Sequence, residues 1–132
     1  MAFDFSNSAI STTFNAGADL SSAQYKFVKV EAVTGDVILV AGATDRPIGV
    51  LQNAPKENEA AQVTIAGGTK VQAGGVAASG TSLYSNATGL AVTLAEGSTG
   101  AAAYVVGTFL ETTANATITS AVINCASAAR GQ

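Results

Sequence analysis

The chain has 132 residues, 48% of them apolar and only 11% charged, with a net charge of −3 and no histidine. That length supports one domain with a modest core. Its six cations, Lys26, Lys29, Arg46, Lys56, Lys70 and Arg130, are too scattered to neutralise a run of phosphates, which argues against a nucleic-acid partner. A charged share this far below the ~25% of ordinary soluble domains predicts a surface largely covered by partners. The single Cys125 allows no internal disulfide, and without histidine there is no Cys/His metal set. The Met-Ala-Phe-Asp-Phe start carries neither a basic region nor an apolar segment, so no signal peptide is expected. No run reaches the ~18 apolar residues of a membrane helix. The sequence reads as a soluble protein made inside a cell, with no membrane partner.

Residues 1–20 are rich in Ser, Thr and Asn, with spaced apolar side chains at Phe3, Phe5, Ile10 and Phe14. Phe3 and Phe5 share a face if the segment is extended. The stretch reads as an extended N-terminal arm that gains order by adding a strand to a neighbour, ahead of a single β domain over 21–132. Residues 24–33 alternate as a strand with one wet face. Thr34-Gly35-Asp36 is a turn, and Val37–Ala41 returns as a more buried strand. Pro47, without an amide hydrogen, belongs at the start of a strand, and Ile48-Gly49-Val50-Leu51 follows. A glycine inside such a run marks a bulge, a barrel corner or a close backbone approach.

Residues 52–60 read as an exposed loop or a single turn. Gln62–Ala66 and Thr69–Ala73 read as two strands separated by Gly67-Gly68, the second stopped by Gly74-Gly75, with residues 76–80 and 81–85 following. From here the pattern returns. Residues 87–95, Ala-Thr-Gly-Leu-Ala-Val-Thr-Leu-Ala, line up with Val-Thr-Gly-Asp-Val-Ile-Leu-Val-Ala at 33–41, and Val106-Gly107-Thr108-Phe109 stands for Ile48-Gly49-Val50-Leu51. Thr117–Ile123 closes as a last strand. Many short strands with turn signals between them predict an all-β fold, a small barrel or sandwich.

Chemistry finds little to use. General acid–base work needs a titrating group held near its target, and the carboxylates fall in turns, loops and polar strand faces. Asp45 beside Arg46 is expected to form a local ion pair ahead of Pro47. Gly67-Gly68-Thr69-Lys70 lacks the spacing and the following helix of a phosphate loop. A serine triad would lack its histidine. Cys125 has no base near it in sequence and reads as structural. No catalytic, cofactor or metal residues are assigned, and the chain reads as no enzyme.

The run Asp-Arg-Pro-Ile-Gly-Val-Leu-Gln-Asn-Ala-Pro at 45–55, then Glu-Ala-Ala-Gln-Val at 59–63 and Lys-Val-Gln-Ala-Gly-Gly-Val at 70–76 with Gly80, resembles the small capsid cement, or decoration, proteins of tailed bacteriophages. The similarity covers roughly residues 20–110. It implies a β-rich domain on the outer surface of the phage head, made in the bacterial cytoplasm. There it would be a homo-oligomer, often a homotrimer, that ties neighbouring major capsid protein subunits together without cofactor or catalytic residue. On this reading Phe3, Phe5, Ile10 and Phe14 form the capsid-binding arm. The alternative is a head-fibre or host- or glycan-binding module, for which Tyr25, Tyr84 and Tyr104 are the candidate aromatic contacts.

Overall fold

Ten strands form one curled sheet in the computed structural model, which describes residues 9–42, 45–93, 104–127 and 129–130. In chain order they are β1 (Ala9–Asn15), β2 (Phe27–Val30), β3 (Val37–Leu39), β4 (Gly49–Leu51), β5 (Ala60–Gln72), β6 (Ser82–Ser85), β7 (Ala91–Val92), β8 (Tyr104–Phe109), β9 (Ile118–Asn124) and β10 (Ala129–Arg130). A 3-10 turn, Cys125–Ser127, links the last two. Neighbours run β3-β2-β4-β5-β9-β8-β6-β7, with β1 also on β5 and β10 on β8. The fold is all-β, as the short strands and turn signals predict. No helix among the described residues is long and apolar enough to cross a membrane.

That strand order reads the same from both ends, because the chain is an internal duplication. Among the described residues, 9–65 and 66–124 share one pattern of strand pairing, with β5 serving as the last strand of the first repeat and the first strand of the second. The pairs Val28↔Gly49 and Val50↔Thr64 in the first repeat return as Leu83↔Gly107 and Thr108↔Val122 in the second. Thr12↔Val63 returns as Thr69↔Ala121. Even the isolated parallel bridge Ala16↔Val37 has its counterpart in Ala73↔Ala91. Backbone conformation repeats too, with left-handed residues at Tyr25 and Gly80, Gly35 and Gly89, Asn58 and Ala116. The glycine pattern of the sequence is thus the trace of a real repeat. Gly49 and Gly107 occupy the same place, where a neighbouring strand passes so close that a Cβ would run into the Thr64 or Val122 carbonyl.

Each repeat has its own apolar core. The first packs Leu20, Val28, Val37, Leu51 and Val63, and the second sets Ala77, Leu83, Ala91, Phe109 and Ala121 at the same positions. The larger Phe109 does not offset the three alanines, and the remaining space is filled from the first repeat. The second core also takes in Phe27, Val40 and Val50 from the first repeat. Successive strand residues point to opposite faces, so β2 and β4 are buried on both: Phe27 and Val50 one way, Val28 and Leu51 the other. The expected wet face of the 24–33 strand is therefore dry at Phe27, because the second repeat lies on it.

Two further expectations change. The two strands expected over 62–73 are one, Ala60–Gln72, since Gly67, at φ +106°, lets β5 continue across the junction between the repeats. The stretch expected to stand off as an arm is, from Ala9 on, a strand of the chain's own sheet, paired with β5, and Ala16 and Leu20 behind it are buried.

Adding a methyl group at the two crossing glycines forces backbone apart. Gly49→Ala would also place its Cβ 2.6 Å from Val63 Cγ1, and Gly107→Ala 2.9 Å from Ile123 Cα. Each should cost about 1–3 kcal/mol in urea unfolding. Gly75→Ala, with nothing within 4 Å of the new atom, should stay within about 0.5 kcal/mol of wild type.

Candidate functional site

The groups with chemical potential are each held by local structure. Asp45 does not pair with Arg46, as adjacency suggested. It accepts from Lys29 Nζ at 2.8 Å and from the Ala41 and Gly42 amides at 3.1 and 3.0 Å. The Lys29 hydrogen bond, with help from the two amides, holds its carboxyl below the usual range. Arg46 turns instead to the 3-10 turn after β9, donating to the Ala126 carbonyl at 3.3 Å, and lies 5.9 Å above the ring of Tyr104 in the second repeat. A cleft of about 400 Å³ beside it is walled by Val30, Pro47, Ile48 and the Cys125–Ala126 turn. Burial pushes the Cys125 thiol up to about 12, so at neutral pH it is neither nucleophile nor ligand. Gly67-Gly68-Thr69-Lys70 lies within β5, not ahead of a helix. Among the described residues no three His, Cys, Asp or Glu side chains gather to hold a metal.

What the fold presents is surface. β1 carries seven uncharged residues, Ala-Ile-Ser-Thr-Thr-Phe-Asn, and all but Phe14 are exposed. Ile10 is 67% exposed, whereas Phe14 is half-buried against the first core. Phe3 and Phe5 lie outside the described residues. Natural edge strands are commonly guarded by charge or proline, and β1 has neither. A second open surface lies on the second repeat. A shallow groove of about 310 Å³ there is lined by Ser82, Val105, Gly107, Thr108, Val122 and Asn124. Its floor is the close β8–β9 crossing at Gly107, and Val122 is 45% exposed on its wall. Of the three tyrosines, Tyr104 packs against the second core, while Tyr25 and Tyr84 are half-buried on different repeats. The groove went unseen in the sequence because a Gly/Thr/Ser/Val lining carries no distinctive pattern.

Asp45→Asn should lower stability in urea by at most about 1 kcal/mol at neutral pH, the range of a partly exposed ion pair. The folded carboxyl titrates below its unfolded value, so its contribution is complete above the unfolded pKa and is lost as pH falls through the folded one. The gap between wild type and variant should therefore close as the pH is taken below about 4.

No protein-family model matches the chain, and no curated protein sequence is similar to it. Among solved structures, the fold is similar to that of the head fiber gp8.5 N base in bacteriophage phi29. The TM-score is 0.65 and the identity 19%, over 94% of this chain and 98% of that one. A likeness at this identity extends to the fold.

Proposed function

We propose that the chain is a structural protein of a tailed-phage virion, seated on the outer surface of the head as the base of a surface appendage. The observation that carries this reading is the fold shared with a head fiber base over nearly the full length of both chains. Its partners are the major capsid protein and further copies of itself, in a homotrimer, and it performs no catalysis. It is made in the bacterial cytoplasm and ends on the virion exterior. Phe3, Phe5 and Ile10, ahead of and at the start of β1, dock on the shell by strand addition.

A cement role, tying shell subunits together, is the second reading, favoured by the Asp45–Pro55 run and its resemblance to decoration proteins. The two readings differ in energetics. A cement binds the assembled shell better than its parts and so stabilises it by mass action. The base of an appendage needs only to stay attached.

Purified protein added to phage heads that lack it should sediment with them and show as outward projections in electron micrographs. Heads that fail to retain it overturn the head-surface reading. Deleting residues 2–8 should abolish retention, and undiminished binding by that truncation removes the role of Phe3 and Phe5. If saturated heads release DNA at the same temperature as bare ones, the appendage reading stands; a rise of several degrees makes the protein a cement.

A further inference from the structure

The contact between the two repeats is directional. Across it Gln72 N–H donates to the Tyr25 carbonyl at 2.9 Å, Phe27 N–H to the Gly89 carbonyl at 2.8 Å, and Gln52 Nε2 to Thr69 Oγ1 at 2.8 Å. In each, Tyr25, Phe27 and Gln52 come from the first repeat and Gln72, Gly89 and Thr69 from the second. If the repeats faced each other about a two-fold axis, every contact would occur twice with the roles exchanged. They do not. Gly89 is buried, with the Phe27 carbonyl and Leu39 Cδ1 within 2.9 Å of where its Cβ would stand, while its counterpart Gly35 is exposed with nothing within 4 Å. The first repeat offers a docking face and the second fills it.

Among the described residues, one face of each kind is therefore left open. The docking face of the second repeat is the groove over Gly107. Its Ser82, Thr108 and Val122 stand where the first repeat has Phe27, Val50 and Thr64, which are 0%, 0% and 3% exposed, Phe27 and Val50 being packed in the core of the second repeat. The inserting face of the first repeat is β1 and the Gly35 turn. Thr12 is exposed there, whereas its counterpart Thr69 is 3% exposed under Gln52. We infer that copies of this chain associate head to tail, the groove of one copy's second repeat receiving β1 and the Gly35 turn of the next, as the first repeat receives the second within each chain.

The inside contact supplies the register. Asn15 N–H of one copy meets the Gly80 carbonyl of the other, Ser82 N–H meets the Gly35 carbonyl, and Leu110 lies over Thr12. Two backbone bonds with known partners make this more specific than the burial of an apolar patch. A heterologous contact of this kind propagates and, where its rotation permits, closes into a ring. This deepens the self-association in the head-surface reading but does not depend on head binding, and its test uses the protein alone.

The test uses one block on each face, both at exposed positions so that the fold is kept: Thr12→Arg on the inserting face and Ser82→Arg on the groove. By light scattering after gel filtration, wild type should have a mass of several chains and each variant the mass of one. Mixed in equal amounts, the variants should form a dimer and nothing larger, because only Ser82 of the first variant and Thr12 of the second remain free to meet. Recovery of the dimer also proves both variants folded. A monomeric wild type, variants that keep the wild-type mass, or a mixture that stays monomeric overturns the head-to-tail contact. Loss of head binding with the oligomer intact bears only on the head-surface reading.

Discussion

Everything in this molecule hangs on one strand serving two masters. β5 closes the first repeat with its leading half and opens the second with its trailing half. With no linker, the repeats cannot turn freely relative to one another. The junction falls at Gly67-Gly68, and only a residue without Cβ takes the +106° φ found there at low cost. The strand's continuity fixes how the second repeat lies on the first, and so fixes which side chains are buried between them. Burying Phe27 and Val50 there contributes about 1.5–3 kcal/mol each, on top of the cores that the repeats hold separately.

The same geometry explains which parts of the fold were legible in the sequence. The repeat showed itself through glycines, because Gly35 and Gly89 sit at left-handed turns and Gly49 and Gly107 at backbone crossings that admit no side chain. Those requirements survive when every apolar neighbour is exchanged for another of suitable volume. Positions that merely need to be apolar had drifted, Leu51 against Phe109 and Val37 against Ala91, so identity between the halves was too low to prove the duplication. The first strand looks like an arm in the sequence for a related reason. Ser11, Thr12 and Thr13 alternate no apolar face, since only Phe14 of that strand reaches the core.

Local sequence failed elsewhere because tertiary partners outcompete neighbours. Asp45 and Arg46 are adjacent, yet consecutive residues at a strand's approach point apart. Lys29, on the strand beside β4, and two loop amides present a better-shaped site for the carboxylate. Arg46 is freed to bind the Ala126 carbonyl in the turn after β9. Likewise the wet face expected for β2 follows correctly from its alternation. What alternation does not carry is that another repeat of the same chain lies on that face.

The open ends of the duplication differ from its closed middle in chemistry, and the difference has a physical reason. Inside the chain the docking face is Phe27, Val50 and Thr64; at the free end it is Ser82, Thr108 and Val122, so the two bulkiest apolar positions have become hydroxyls. A contact made within one chain forms as the chain folds and never meets solvent as a finished surface, so it tolerates large apolar groups. A contact made between chains must exist exposed until a partner arrives. Phe and Val left exposed on such a face would invite non-specific association in that interval. Hydroxyl side chains there keep the face soluble and leave specificity to backbone hydrogen bonds and shape. A weaker contact suffices if it recurs around a closed ring, where opening the assembly requires two interfaces to break together. The groove's mixed lining, with Ser82 and Thr108 beside Val122, is thus what we infer a docking face becomes when its partner is another molecule rather than the next fifty-odd residues of the same one.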